Sequence, residues 1–156
     1  MTAHTATPCL RCCTQTVRPH AKPGRTARWL ILPAVAVPAG LEISSCSRCG
    51  CEYPTPEQRA NLDRELTASG RAILRKSAAD AIRALSPAIS QRRLELLLGL
   101  SQGYLSRLLG SRRSRTHTPS PALVALLALL ASEPALLRWI ERYWVEQTIR
   151  DKQSEH

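Results

Sequence analysis

Two pairs of cysteines stand far apart in this chain, Cys9-Leu10-Arg11-Cys12 and Cys46-Ser47-Arg48-Cys49, the second followed by Gly50. Thirty-three residues lie between Cys12 and Cys46. A pair spaced this way presents two thiolates from one tight turn. Two such pairs complete the tetrahedral four-sulfur shell that Zn²⁺ favours. The spacing therefore predicts one structural zinc per chain, held by Cys9, Cys12, Cys46 and Cys49. Four thiolates leave no position open for water, so a catalytic zinc is not expected. Cys13 and Cys51 adjoin the pairs and read as spare thiols; substitution by Cys13, Cys51, His4 or His20 as a ligand is the open alternative.

Six cysteines could instead form disulfides, in any of fifteen pairings. No export signal is visible: the first apolar stretch, Trp29 to Ala39, starts late and is broken by Pro33 and Pro38. A reducing compartment, the cytoplasm of a bacterial-type cell, is the expected location, and it favours metal ligation. That stretch and the Leu/Ala run from Ala122 to Ala131 are both too short to span a bilayer, so no membrane association is expected.

Charge is distributed unevenly. Residues 1–51 hold six Lys/Arg against one acidic residue, and residues 86–118 again hold six against one. Residues 119–156 hold four against five. Phe is absent and aromatics make up only 4% of the chain, so the core must be built from Leu, Ala, Ile and Val, which suits helices. The organisation expected is a disordered tail over 1–8, a zinc-binding module over 9–54, a linker helix region over 55–78, a DNA-binding helical domain over 79–148 and a second disordered tail over 149–156.

Within 9–54 there is little helical periodicity. Pro19, Pro23-Gly24, Pro33, Pro38 and Gly40 punctuate it, and Trp29-Leu-Ile-Leu32 and Val35-Ala-Val37 read as short strands. A small sheet folded back on the metal fits. Thr55-Pro56-Glu57-Gln58 then starts a helix, with Thr55 as cap, Pro56 in the first turn and Gln58 at the capping-box position. Ser69-Gly70 is expected to end or hinge that helix, and a second segment, about Arg71 to Leu85, carries Ile73, Leu74, Ala78, Ile82 and Leu85. Two short helices follow, roughly Gln91–Leu98 behind a Ser90 cap and Gln102–Leu109 behind a Ser101 cap. Ser120-Pro121 and Ser132-Glu133-Pro134 open two more.

The string from Ser90 to Gly110 has the pattern of a helix-turn-helix. Leu94 and Leu98 share a face, Gly99 supplies the positive φ a sharp turn needs, and Leu105 and Leu108 anchor the second helix inward. Gln102, Gly103, Ser106 and Arg107 are left facing outward, with Tyr104 beside them. Gln can pair with adenine and Arg with guanine in the major groove. Gln91, at the start of the first helix, and Arg112, Arg113 and Arg115, in the loop beyond the second, are placed to grip phosphates. A plain helical hairpin is the alternative.

Residues 80–131 resemble the lambda-repressor/Cro-like helix-turn-helix family, with Glu95 standing where that family usually has Ala and Leu109 where it often has Glu. The cysteine pairs, Gly50 and Val35-Ala-Val37, followed by Pro119-Ser120-Pro121, Leu126-Leu127 and Glu133-Pro134-Ala-Leu136-Leu137, resemble MqsA-type antitoxins, also called YgiT-type zinc-finger proteins. The resemblance implies a mainly α protein: a small zinc-bound β-rich module, then a five-helix Cro-like domain. It further implies a structural zinc, a toxin held by the N-terminal module, and a homodimer binding double-stranded DNA at a palindromic operator. Arg107 falls on a base-reading arginine of that family. Its base-reading Asn falls on Gly103, for which Gln102 is the natural substitute.

The C-terminal helices, over 119–144, are the expected dimer interface; Trp139, Tyr143 and Trp144 read either as part of it or as ordinary core. Neither the closed zinc shell nor the scattered histidines suggest an enzyme. The function expected is a transcriptional regulator that neutralises a toxin and represses its own operon. A stand-alone regulator without a toxin and an adaptor that never meets DNA are the alternatives.

Overall fold

The computed structural model describes residues 7–13, 17–110 and 118–154, and the side chains of these up to residue 147. Four short strands precede five helices: β1 (Val17–Ala21), β2 (Thr26–Trp29), β3 (Leu32–Ala36), β4 (Glu42–Cys46), α1 (Pro56–Leu85), α2 (Gln91–Leu97), α3 (Tyr104–Leu109), α4 (Pro121–Ser132) and α5 (Ala135–Ser154). Two compact units divide the chain, Met1–Arg71 and Ala72–His156, with the boundary inside α1.

In the first unit β1 pairs antiparallel with β4, from Val17 opposite Cys46 to Ala21 opposite Glu42. This register carries Cys46 into the same small apolar cluster as Val17 and Cys9, with Tyr53 packed against it. Pro19 is tolerated because a two-stranded sheet consists only of edges. β2 and β3 form a separate antiparallel hairpin with a bulge between Ala27 and Trp29. The apolar run Trp29–Leu32 is thus not one strand: it contains the turn, with Leu30 at φ 49. Neither Gly nor Asn marks that turn, which is why its residues read as strand. Leu30 and Ile31 form the exposed tip.

The expected capping box at α1 is present. Thr55 Oγ1 accepts from the Gln58 amide at 3.2 Å, and Gln58 Oε1 accepts from the Thr55 amide at 3.0 Å. The same Gln58 oxygen accepts from the Ser44 amide at 3.1 Å, tying the helix start to β4. Leu62 and Leu66 then pack on Val35 and Val37 of the hairpin segment. The break expected at Ser69-Gly70 does not occur; α1 is one helix of 30 residues. Gly70 is buried, and a Cβ there would fall within the Trp29 indole. Glycine permits the ring's close approach to the helix backbone.

In the second unit Leu74, Ala78, Ile82 and Leu85 of α1 are buried, as are Leu94 and Leu97 of α2, Leu105 and Leu108 of α3, and Val124, Leu127 and Leu130 of α4. Ile73 is partly exposed instead. Ser90 and Ser120 cap α2 and α4 as expected, accepting from the amides of Arg93 and Leu123. The helix expected from Gln102 starts later. Its first residue is Tyr104, its N-cap is Gly103 at φ 76, and no side chain within the cap fulfils the role expected of Ser101. α5 continues to Ser154, into the segment expected as a disordered end. It is held to α2 by Arg93, whose Nη2 lies 3.0 Å from Glu141 Oε1, and by Trp144 Nε1, which donates to the Leu97 carbonyl at 3.1 Å. Among the described residues no single helix is long and apolar enough to cross a membrane.

Candidate metal centre and candidate nucleic-acid interface

Each cysteine pair sits on a turn of the same construction. The Cys9 carbonyl accepts from the Cys13 amide at 2.8 Å, and the Cys46 carbonyl accepts from the Gly50 amide at 2.9 Å. The residue after the second cysteine is left-handed in both, Cys13 at φ 56 and Gly50 at φ 72. Glycine adopts that conformation freely; at Cys13 it carries a steric cost. The second turn is also tied back by the Cys46 amide, which donates to the Cys51 carbonyl at 2.8 Å.

These turns bring Cys9, Cys12, Cys46 and Cys49 together, with all four sulfurs within 4.8 Å of one another. Cys9 Sγ lies 3.5 Å from Cys49 Sγ, and Cys12 Sγ lies 3.6 Å from Cys46 Sγ. A metal at about 2.3 Å from four tetrahedral sulfurs would set them about 3.8 Å apart. The cluster has the dimensions to hold a metal ion. Cys13 is exposed, and Arg11 Nη1 donates to Cys51 Sγ at 3.3 Å. Among the described residues neither thiol joins the cluster, nor does His20 on β1.

The titration of the thiols reflects their crowding. A hydrogen bond with the Tyr53 hydroxyl, 3.4 Å from Cys9 Sγ, holds the Cys9 thiol below its usual range; burial opposes this, and the amides of Cys12 and Arg11 reinforce it. The same bond, together with burial, pushes Tyr53 up to about 12. A backbone hydrogen bond from Cys51 favours the Cys49 thiolate, but burial and the thiols of Cys9, Cys46 and Cys12 outweigh it and push Cys49 up to about 12. Four adjoining thiolates repel one another unless a cation sits among them. Arg11 holds its proton more firmly than usual because of its hydrogen bond to Cys51 and the negative potential there.

The second feature is the α2–α3 pair. Gly99 at φ 64 makes the turn, as the sequence requires. Glu95, on α2, is 4% exposed, and its carboxylate faces the start of α3. Oε2 accepts from the Gly103 amide at 2.9 Å and Oε1 from the Leu105 amide at 2.8 Å. A carboxylate reaching across from one helix thus supplies the cap of the next, and it suits the positive end of that helix. In the sequence Glu95 stands out only as a departure from a family pattern. Ser101 offers a local cap in the sequence, so nothing local points to Glu95.

Around this clamp the residues expected to meet DNA lie close together. Gln102, Ser106 and Arg107 are exposed, while Gln91, Gly103 and Tyr104 are half-buried. Gln91 Oε1 accepts from the Ser106 hydroxyl at 2.9 Å, joining the starts of the two helices. Arg107 folds back over the turn: Nη2 donates to Ser101 Oγ at 3.3 Å and Nη1 to the Gln102 carbonyl at 3.4 Å. Such long, exposed bonds are readily exchanged for others. Arg112, Arg113, Arg115 and His4 lie outside the described residues. No protein-family model matches the chain, and neither a curated protein nor a solved structure does.

Proposed function

We propose that this protein is a zinc-containing helix-turn-helix transcriptional regulator, of the antitoxin kind, which represses its own operon. The observation that carries the reading is the exposed set Gln102, Ser106 and Arg107, presented by an α2–α3 pair that Glu95 clamps. Base reading needs such a set on a firmly held helix. The surrounding segment 86–118 carries six Lys/Arg against one acidic residue, suited to neutralising phosphates. Zinc is the metal that best suits a closed four-thiolate shell in a small module with little core of its own. The resemblance to MqsA-type antitoxins adds the toxin and the operator. In this reading the exposed hairpin tip, Leu30 and Ile31, is the apolar contact for the toxin.

DNA sites selected from a random library supply the test. In titrations against a selected and a scrambled duplex at several salt concentrations, Arg107→Ala should cost about 1–3 kcal/mol on the selected site and relax one base position. Arg113→Ala should weaken both duplexes alike and lower the salt slope by about one. An equal loss on both duplexes for Arg107→Ala would make it a backbone contact and remove the recognition-helix reading. The antitoxin half is tested separately, by whether the protein restores growth to cells expressing the product of the adjoining reading frame.

One observation favours a second reading, a regulator without a toxin. Residues 1–51 carry six Lys/Arg against one acidic residue, a surplus that would repel a basic nuclease at long range.

A further inference from the structure

Beside the cysteine cluster, the first unit has a concave surface that the metal reading does not use. A cavity of about 660 Å³ opens between β1, the start of the hairpin and the Ser45–Glu52 segment. Arg18 and His20 alternate along β1, and Lys22 follows one residue after its end. A two-residue period puts such side chains on one face of a strand, about 6–7 Å apart. Ser45 lies opposite Arg18 in the register and also lines the cavity. Arg18 and Lys22 have no ion-pair partner among the described residues, and the one carboxylate of the lining, Glu52, is already engaged.

Glu52 is engaged by Arg25, and Arg25 is the unusual member of the lining. Its side chain is only 8% exposed. Nη2 lies 3.0 Å from Glu52 Oε1, Nη1 reaches the Leu41 carbonyl at 3.5 Å, and the buried Nε has no hydrogen-bond partner. A guanidinium has five N–H donors and is costly to bury unless its charge and donors are met. Here its carboxylate is half in solvent, at 45% exposed, and must offset a further two unpaired cations nearby. Three cations thus face one carboxylate and the Cys46 sulfur, with donors to spare.

We propose that this cavity binds a phosphate group. Arg18 on β1 and Lys22 just past its end grip it, Arg25 forms the cationic wall behind it, and the Ser45 hydroxyl donates a further bond. A tetrahedral oxyanion suits several cations converging from different directions, because it offers acceptor oxygens on every side. The group belongs either to a free phosphorylated small molecule or to the phosphodiester backbone of a nucleic acid. The proposal rests on the first unit alone and does not depend on how α3 meets DNA.

The test uses the full-length protein with two probes: inorganic phosphate, followed by calorimetry, and a short duplex of random sequence, followed by fluorescence anisotropy in an Arg107→Ala background. The double variant Arg18→Ser/Lys22→Ser changes exposed side chains only, and unchanged circular dichroism and metal content verify its fold. Arg28→Ser/Arg59→Ser, exposed and outside the cavity, is the charge-matched control. Saturable phosphate binding that weakens about tenfold or more in the cavity variant, and not in the control, supports a free phosphorylated ligand. A response of the duplex alone, with the salt slope lowered by about two in the cavity variant only, supports the phosphodiester. Absence of any cavity-specific effect in both arms, or equal weakening by the control, overturns the proposal.

Discussion

Glu95 places a carboxylate where the buried Leu105 amide and the half-buried Gly103 amide would otherwise lack acceptors. Glu95→Ala should therefore lower stability by about 1–3 kcal/mol, the cost of orphaned buried donors, and Glu95→Gln, which keeps one acceptor oxygen, should fall between. Urea denaturation followed by helical dichroism measures both; an Ala variant as stable as the parent would remove the clamp. Gly70 makes the opposite kind of argument. Inside a helix, Gly→Ala ordinarily stabilises by about 1 kcal/mol. Here the added methyl meets Trp29, so Gly70→Ala should destabilise by about 1–3 kcal/mol, and adding Trp29→Leu should recover most of the loss. Neither residue's role was legible in the sequence. Glycine reads locally as a helix breaker, and a glutamate in an apolar segment reads as a misfit, because the partners that explain them are not sequence neighbours.

At the scale of elements, what the sequence made legible was local chemistry. Thr55 with Gln58, and Ser90 and Ser120 with the amides three residues on, are contacts within one helical turn, so composition and spacing reveal them. α3 starts later than its sequence suggests because its cap comes from α2. The hairpin turn at Leu30 leaves no mark in the sequence because its residues lack turn chemistry. The cysteine cluster was legible despite its long-range closure, since ligand spacing encodes the turn geometry at each end. Cys49→Ser should abolish metal binding at the cysteine cluster and unfold residues 9–51 while the C-terminal helices persist, seen as loss of bound metal together with retention of most helical dichroism. An ordered N-terminal module in metal-free, reduced protein would overturn that expectation. Because Cys49 is pushed up to about 12, its thiol is protonated at neutral pH without a metal, so metal entry must release protons and affinity should fall as pH falls.

For the molecule as a whole, assembly is the open property with a visible surface. Trp139 and Tyr143 stack one turn apart on α5, with ring centroids 5.7 Å apart, and are 59% and 40% exposed. The sequence leads one to expect pairing through the C-terminal helices, as two-fold DNA-binding proteins pair helices to match two half-sites. Trp139→Ala/Tyr143→Ala should therefore shift sedimentation from dimer to monomer; a parent protein already monomeric at high micromolar concentration would remove the idea. One consequence arises from α1, whose Leu62 and Leu66 serve one hydrophobic cluster while Leu74, Ala78, Ile82 and Leu85 are buried in the second unit. If the metal is withdrawn and the first cluster melts, the stretch Pro56–Gly70 keeps its backbone continuity with a helix that is still folded but loses the side-chain contacts that protected it. Its amides should then exchange deuterium quickly while those from Leu74 onward stay slow. The protection boundary along this single helix would act as a built-in gauge of whether the cysteines are loaded.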